Sequence, residues 1–284
     1  MTTASAAVVE DLAPSGILRA SINLGNPVLA QGTPEAPAGV TVDLAREVGA
    51  RLGVPVELLT FDAARTSYAA MVEGRAELCF LAVDPAREAA VSFTPPYVVI
   101  EGVNMVASDS DLDAVADVDR AGIRIGVKEG SAYDLFLSRT LQHATVVRGA
   151  EGVEVFLAEG LEVGAGIRQP VTRFVETHPV LRIVEEPFMQ IQQAVGTTGS
   201  RRPDTVAVLR DLVEELKASG FVAADLARSG QSDASVAPQR TPGRTRRSRT
   251  DPRTLAGGWP RGHDELSGRL GPSQYDGTSG RPVG

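Results

Sequence analysis

Residues 63–106 read AARTSYAAMVEGRAELCFLAVDPAREAAVSFTPPYVVIEGVNMV, and the change of rhythm within them decides the fold class. Ala63–Glu73 has the spacing of a helix with one apolar face. Glu77–Val83 (ELCFLAV) is a short, nearly continuous apolar run, as expected of a strand covered on both faces. Tyr97–Val106 (YVVIEGVNMV) is longer and extended, and it interrupts the alternation of short elements. Helix, buried strand and long extended segment in that order predict α/β layers.

The same alternation continues on either side. Toward the N-terminus, Ile17–Asn23 reads as a strand. Thr41–Leu52 reads as a helix with Leu44, Ala45, Val48 and Leu52 on one face and Gly53 just beyond it, and Val54–Phe61 as a second strand. Toward the C-terminus a second β–α series follows. It comprises Gly122–Val127, a helix over 131–141, Thr145–Arg148, a helix over Val153–Glu159, Glu162–Gly166, a helix after Pro170, and Leu181–Glu185. Phe188–Val195 (FMQIQQAV) is a second long extended run. The last long helix then has Asp204 as its N-cap, Leu209, Leu212, Val213 and Leu216 on one face, and Gly220 as its stop.

Two α/β series joined by two extended crossings predict two lobes with a cleft between them, a preferred place for small-molecule sites and for hinge closure. The expected division is 16–103 plus 195–230 for the first lobe and 104–194 for the second. Residues 231–284 form a tail rich in Arg, Gly and Pro. It holds nine Arg against five acids, nine Gly, six Pro and the single Trp259, without aliphatic periodicity. Such a segment buries too little surface to offset its ordering entropy, so it is expected to be disordered. Its basic cluster, Arg244, Arg246, Arg247 and Arg249, reads as a solvated charge run.

Composition narrows the function classes. The chain has 284 residues, 43% hydrophobic and 23% charged, enough for a sizeable core. No apolar run reaches the length of a membrane span. A single cysteine, Cys79, excludes an intramolecular disulfide framework and any CxxC cluster. His143, His178 and His263 lie far apart, without zinc-ligand spacing. The net charge of −8 argues against generic phosphate-backbone binding. Met1–Gly16 carries no basic residue, no long apolar stretch and two acids, Glu10 and Asp11. That is not a secretory signal, so the encoded chain is expected in the cytoplasm, or in the periplasm or extracellular space if the start lies elsewhere.

Five stretches, in order over roughly 215 residues, carry a resemblance. They are GILRASIN (Gly16–Asn23), GVTVDLAREVGARLGVPVELL (Gly39–Leu59), MVEGRAELCFLAVDPAREAAVSFTPPYV (Met71–Val98), GIRIGVKEGSAYDLFL (Gly122–Leu137) and ASGFVAADLARSG (Ala218–Gly230). Their order resembles the family 3 solute-binding proteins of ABC transporters, which have the type 2 periplasmic binding protein fold. The resemblance implies a two-lobed clamp that closes on a small polar ligand, most often an amino acid, without chemistry. It also implies a monomer, a small carboxylate-bearing ligand and, for an exported chain, an ABC-transporter permease as partner. No cofactor, nucleic acid or membrane insertion is expected.

In the family, the residue matching Arg87 grips the ligand carboxylate. A planar guanidinium offers a carboxylate two parallel charge-assisted hydrogen bonds. Gly130, Ser131 and Ala132 lie between a strand and a helix, where free amides and the helix dipole face an anion, and the family binds the same carboxylate there. Ser131 also reads as an N-cap. The sequence departs from the amino-acid binders at three places. Ala82 stands where a small hydroxyl residue is usual, Asp84 replaces the Thr of the TPxR turn, and Ile167 followed by Arg168 replaces the Asp that pairs with a ligand ammonium. A cleft holding Arg87 and Arg168 without that Asp favours a small organic acid or an atypical amino acid. Asp84 either stands in for the lost carboxylate or pairs with Arg87. Asn23 at the end of the first strand, Asn26, and Gln193 or Gln192 in the second crossing are further candidates for ligand contact, with Tyr97 at the hinge. Phe80 and Cys79 read as core.

Two other classes remain. Some family relatives resemble dehydratases acting on prephenate or arogenate, which need a carboxyl group as general acid, and Asp84 and Glu129 are the acids placed nearest the cleft. No nucleophile elbow, catalytic triad order, dinucleotide turn or metal motif supports other enzyme classes. The third class is a cytosolic ligand sensor using the same clamp.

Overall fold

The structure, a computed structural model, describes residues 4–240. In chain order the elements begin with α1 (Ala6–Leu12), β1 (Leu18–Asn23), a small hairpin of β2 (Gln31–Thr33) and β3 (Ala36–Ala38), and α2 (Val40–Leu52). Next come β4 (Val56–Phe61), α3 (Ala64–Val72), β5 (Leu78–Ala82), α4 (Pro85–Glu88) and β6 (Val91–Ala107). The second series is α5 (Val115–Val118), β7 (Arg124–Lys128), α6 (Ala132–Thr140), β8 (Thr145–Gly149), α7 (Gly152–Glu159), β9 (Val163–Ile167), α8 (Arg168–Glu176) and β10 (Leu181–Ile183). The chain then returns through β11 (Met189–Thr198), α9 (Pro203–Ala218), α10 (Phe221–Arg228) and β12 (Ser235–Val236).

One sheet runs through the molecule in the order β4-β1-β5-β11-β6-β9-β7-β8, with β10 and β12 also paired to β6. The outer strands of each half are parallel, and the two middle strands, β6 and β11, run antiparallel to each other. β6 is long because its 17 residues must pass from one half to the other, about 55 Å at the rise of an extended chain. These are the two crossings expected from the sequence, and the layout is the two-lobed type 2 periplasmic-binding-protein fold. The first lobe stands on β4-β1-β5 and the second on β9-β7-β8.

β5 is buried along its whole length, as ELCFLAV predicts, because α3 covers one of its faces and β1 and β11 pair both its edges. Burying each of Leu78, Phe80 and Leu81 there contributes about 1.5–3 kcal/mol. The polar residue at its mouth has a partner: Glu77 is buried and accepts from the Arg19 amide at 2.8 Å and from the Arg19 guanidinium. Cys79 and Phe80 are core residues. Burial pushes the Cys79 thiol up to about 12. Tyr97 is also fully buried, edge-on to Phe80, with its hydroxyl 3.4 Å from that of Thr41, so it packs the hinge without facing the cleft.

Two expectations shift. The last long helix starts at Pro203 with Arg202 at the N-cap, because proline suits the first helical position. Asp204 therefore falls in the first turn, ion-paired to Arg202 at 2.8 Å. The chain also continues in register past Gln231. Ser235 and Val236 pair with Val99 and Val98, and the Ala237 amide donates to Tyr97 at 3.0 Å. The remaining tail, with the Arg244–Arg249 cluster, lies outside the described residues.

Lys217 ties that segment to the hinge. Its buried ammonium donates to the carbonyls of Pro96 and Pro238 at 3.1 and 3.0 Å and to Glu214 at 2.8 Å. Lys217→Met keeps the packing but leaves two carbonyls and a carboxylate without their donor. Each lost bond to a charged group costs about 1.5–3 kcal/mol. The expected result is a fall of several degrees in the unfolding midpoint and new protease cleavage within 231–240. An unchanged midpoint and cleavage pattern would show that this lysine does not clamp the segment.

Candidate functional site

A cavity of about 50 Å³ lies where the two lobes meet. Its walls include Asn23, Asn26, Ala82, Arg87, Ile191 and Gln193 from the first lobe and the crossings. The second lobe contributes Lys128, Glu129, Ser131, Ala132, Tyr133 and Ile167. Of the residues expected to contact ligand, Asn23, Asn26, Arg87, Ser131, Ala132 and Gln193 line it directly, whereas Gly130 does not, its carbonyl being taken by Arg87 and its amide by Asp134.

Arg87 sits on the short helix α4 that follows β5. Asp84 caps that helix by accepting from the Ala86 amide at 2.9 Å, and Pro85 opens it. This turn projects the guanidinium back beneath the end of β5, where it donates to Ala82 O at 3.1 Å and across the cleft to Gly130 O at 3.0 Å. Arg87 is only 3% exposed, and among the described residues no carboxylate lies within 4 Å of it. Burial lowers its affinity for the proton, opposed by the charge of Asp84. A buried cation whose donors reach only neutral carbonyls is incompletely compensated.

Opposite it, Ser131 caps α6, its hydroxyl accepting from the Asp134 amide at 3.1 Å. Not every amide of this turn is free. The Gly130 amide donates to Asp134 at 2.8 Å and the Ser131 amide to Lys128 O at 3.1 Å. The first-turn donors that remain are the amides of Ala132 and Tyr133, so the anion-facing part of the turn lies one residue later than expected. Asp134 is held in place by Arg148 at 3.0 Å.

The polar side chains of the first lobe add donors. Asn23 and Asn26 turn their amide oxygens onto the backbone amides of Gly25 and Val28, which leaves their NH₂ groups available. In β11 the register shifts between Gln193 and Ala194, beside Pro96 of β6, which has no amide to offer the ladder. Strand alternation settles the choice between the two glutamines: Gln193 is buried at the cavity and Gln192 faces out.

Two expected residues lie elsewhere. Arg168 opens α8 immediately after β9, and the turn carries it to the outer side of the crossings. There it pairs with Glu101 and donates to Glu185 O at 2.7 Å, beside a separate groove. Asp84 does not face the cavity and does not pair with Arg87. Its second oxygen is 2.8 Å from the Arg139 guanidinium of α6, across the lobe boundary.

Sequence reading missed Lys128 and Gly25. Lys128 is the last residue of β7, and its ammonium crosses to Asp62 O at 3.0 Å while pairing with Glu151. The signal was a cation at the carboxyl end of a parallel strand, just before the anion-facing turn. Gly25 permits this approach, because a side chain there would overlap the Asp62 carbonyl and come within 2.8 Å of the Lys128 ammonium.

Among the described residues, the polar contacts that cross the cleft are Arg87 to Gly130, Lys128 to Asp62, Asp84 to Arg139, and Arg65 to Glu129 at 3.5 Å. Asp84→Asn isolates the third, since an amide oxygen still caps α4. With Arg139 nearly half exposed, the pair contributes about 1 kcal/mol or less, and salt weakens it. Small-angle scattering at low salt is expected to show a larger radius of gyration for Asp84→Asn, with the difference shrinking at high salt. Identical radii at low salt would deny the pair a part in closure.

Comparison with known proteins gives the lineage. Residues 23–241 match the family described as bacterial extracellular solute-binding proteins, family 3. A mutant of ArgBP from T. maritima is 20% identical at a TM-score of 0.65, covering 78% of this chain and 99% of that one. An amino acid ABC transporter substrate-binding protein from Streptococcus pneumoniae, bound to L-arginine, is 19% identical at 0.65, covering 78% and 98%. The ancestral amino acid-binding protein AncCDT-1, a precursor of cyclohexadienyl dehydratase, is 16% identical at 0.62, covering 78% and 97%. No curated protein matches the chain. At these identities the structures establish a shared fold, and the family match over most of the sequence establishes the lineage. The chain belongs to the bacterial extracellular solute-binding proteins, family 3.

Proposed function

We propose that this protein is a non-catalytic solute-binding protein whose lobes close on a small carboxylate-bearing solute, serving an ABC-transporter permease where the chain is exported. The observation that carries this reading is the buried Arg87 guanidinium, which has no carboxylate partner among the described residues and sits at the lobe boundary opposite the first turn of α6. A solute carboxylate supplies the missing countercharge and accepts from both lobes at once, so it favours the closed arrangement by its differential affinity. The structural relative bound to L-arginine is consistent with a carboxylate anchor of this kind.

Thermal unfolding against amino acids, monocarboxylates and dicarboxylates tests the reading. A binding solute raises the midpoint in proportion to the logarithm of its concentration once it exceeds Kd. The same panel includes amines and sugars, and stabilisation only by solutes that lack a carboxyl group would overturn it.

A second reading rests on Glu129, a carboxyl group on the cavity wall, together with the likeness to the dehydratase precursor. Turnover of prephenate or arogenate that is lost in Glu129→Gln would establish it. Glu129 is more than half exposed beside Arg65, which favours binding over acid catalysis.

A further inference from the structure

Among the described residues, two buried cations line the central cavity, Arg87 from the first lobe and Lys128 from the second. The acids nearby are otherwise engaged. Asp84 faces Arg139, Asp134 takes the Gly130 amide and Arg148, and Glu101 pairs with Arg168 outside the cleft. Glu129 is the one acidic residue on the cavity wall, and its carboxylate is turned toward Arg65, with more than half its surface in solvent. Glu151, the partner of Lys128, is half exposed and is not part of the wall. Ile167 adds an apolar side chain to the wall.

From this charge pattern we propose that Lys128 is a specificity-determining residue, and that the solute is a small dicarboxylate with one acid group on Arg87 and the other on Lys128. The proposal rests on the carboxylate-binding reading and extends it to the other end of the ligand. A zwitterionic amino acid would place its ammonium among Arg87, the Lys128–Glu151 pair, the Asn and Gln amides and Ile167, with a solvent-exposed Glu129 as the acid on the wall. A second carboxylate instead accepts from the Lys128 ammonium, which Gly25 admits to the site and Asp62 O steadies at 3.0 Å. The lysine supplies a point charge that suits a carboxylate at variable angle.

Calorimetric titration of the full chain with succinate and malate, and with propionate, lactate and alanine as probes lacking a second acid group, tests this. The wild type is expected to bind a dicarboxylate at least about 10-fold more tightly than any of the three. Lys128→Met is expected to weaken the dicarboxylate about 10- to 100-fold while changing a monocarboxylate by no more than about threefold, and Lys128→Arg to restore most of the loss. Equal weakening of both classes would mean that Lys128 only joins the lobes, and it would overturn the proposal. So would wild-type preference for alanine or a monocarboxylate over both dicarboxylates, or no binding of either dicarboxylate. Loss of every ligand in Arg87→Ala without a selective effect of Lys128→Met would leave the carboxylate anchor standing and remove only the second one. Binding unaffected by Arg87→Ala would remove the underlying reading itself.

Discussion

Arg87→Ala is expected to abolish binding of the carboxylate solute, with a loss of about 100-fold or more, while the protein stays folded. The two effects separate because of what Arg87 does in each state. In the protein alone, its guanidinium donates to the neutral carbonyls of Ala82 and Gly130. Removing it leaves two carbonyls without a donor, at about 1–3 kcal/mol each, but it also relieves the desolvation of a buried charge. Those terms oppose one another, so the shift in unfolding midpoint should be modest. In the proposed complex, the same group would make a paired, charge-assisted contact whose two hydrogen bonds are each worth about 1.5–3 kcal/mol. Nothing opposes that loss. Arg87→Lys keeps the charge without the fork and should fall between wild type and alanine. Titration calorimetry of the three proteins with the strongest solute decides the matter, and affinity within about threefold of wild type in Arg87→Ala would refute the anchor.

Gly25→Ala is expected to harm both folding and binding. The added methyl has no room: it overlaps the carbonyl of Asp62 and reaches the ammonium of Lys128. The carbonyl is backbone at the end of β4, so relief requires moving the strand end or the loop after β1. Overpacking of that kind costs about 1–3 kcal/mol, or several degrees in the unfolding midpoint for a domain of this size. The same methyl holds Lys128 away from the first lobe and so opposes closure. Solute affinity should drop by about 10-fold or more. A variant with wild-type stability and affinity would mean that the loop after β1 yields freely, and that Gly25 does not govern the approach of the lobes.

Much of the fold was legible because burial imposes simple periods on a sequence. The apolar run ELCFLAV had to be a strand covered on both faces, and the period of Leu44, Val48 and Leu52 had to be the inner stripe of a helix. The two extended runs, YVVIEGVNMV and FMQIQQAV, became the middle strands that pass between the lobes. Helix ends were less legible. Arg202 rather than Asp204 caps α9, since proline at the next position and the acid in the first turn both satisfy the same preference. The segment 231–240 was not legible at all. A polar stretch with one pair of buried alanines shows no period, and it is held by backbone pairing to β6 and by the distant Lys217.

The candidate site divides in the same way. The sequence by itself determined the two α/β series, the position of Arg87 on a turn after a buried strand, and the helix start at Ser131, because these depend on residues adjacent in the chain. Only the tertiary structure decided which side chains face one another across the cleft. Arg168 differs from Ile167 by one position, yet the start of α8 turns the first outward and leaves the second on the cavity wall. Asp84 lies three residues from Arg87 but finds its partner in Arg139 of the other lobe, 55 positions away. Lys128 became part of the site through the absence of a side chain at Gly25. Charge pairing and steric access act through space over a few ångströms, and the chain brings those atoms together only when the lobes meet.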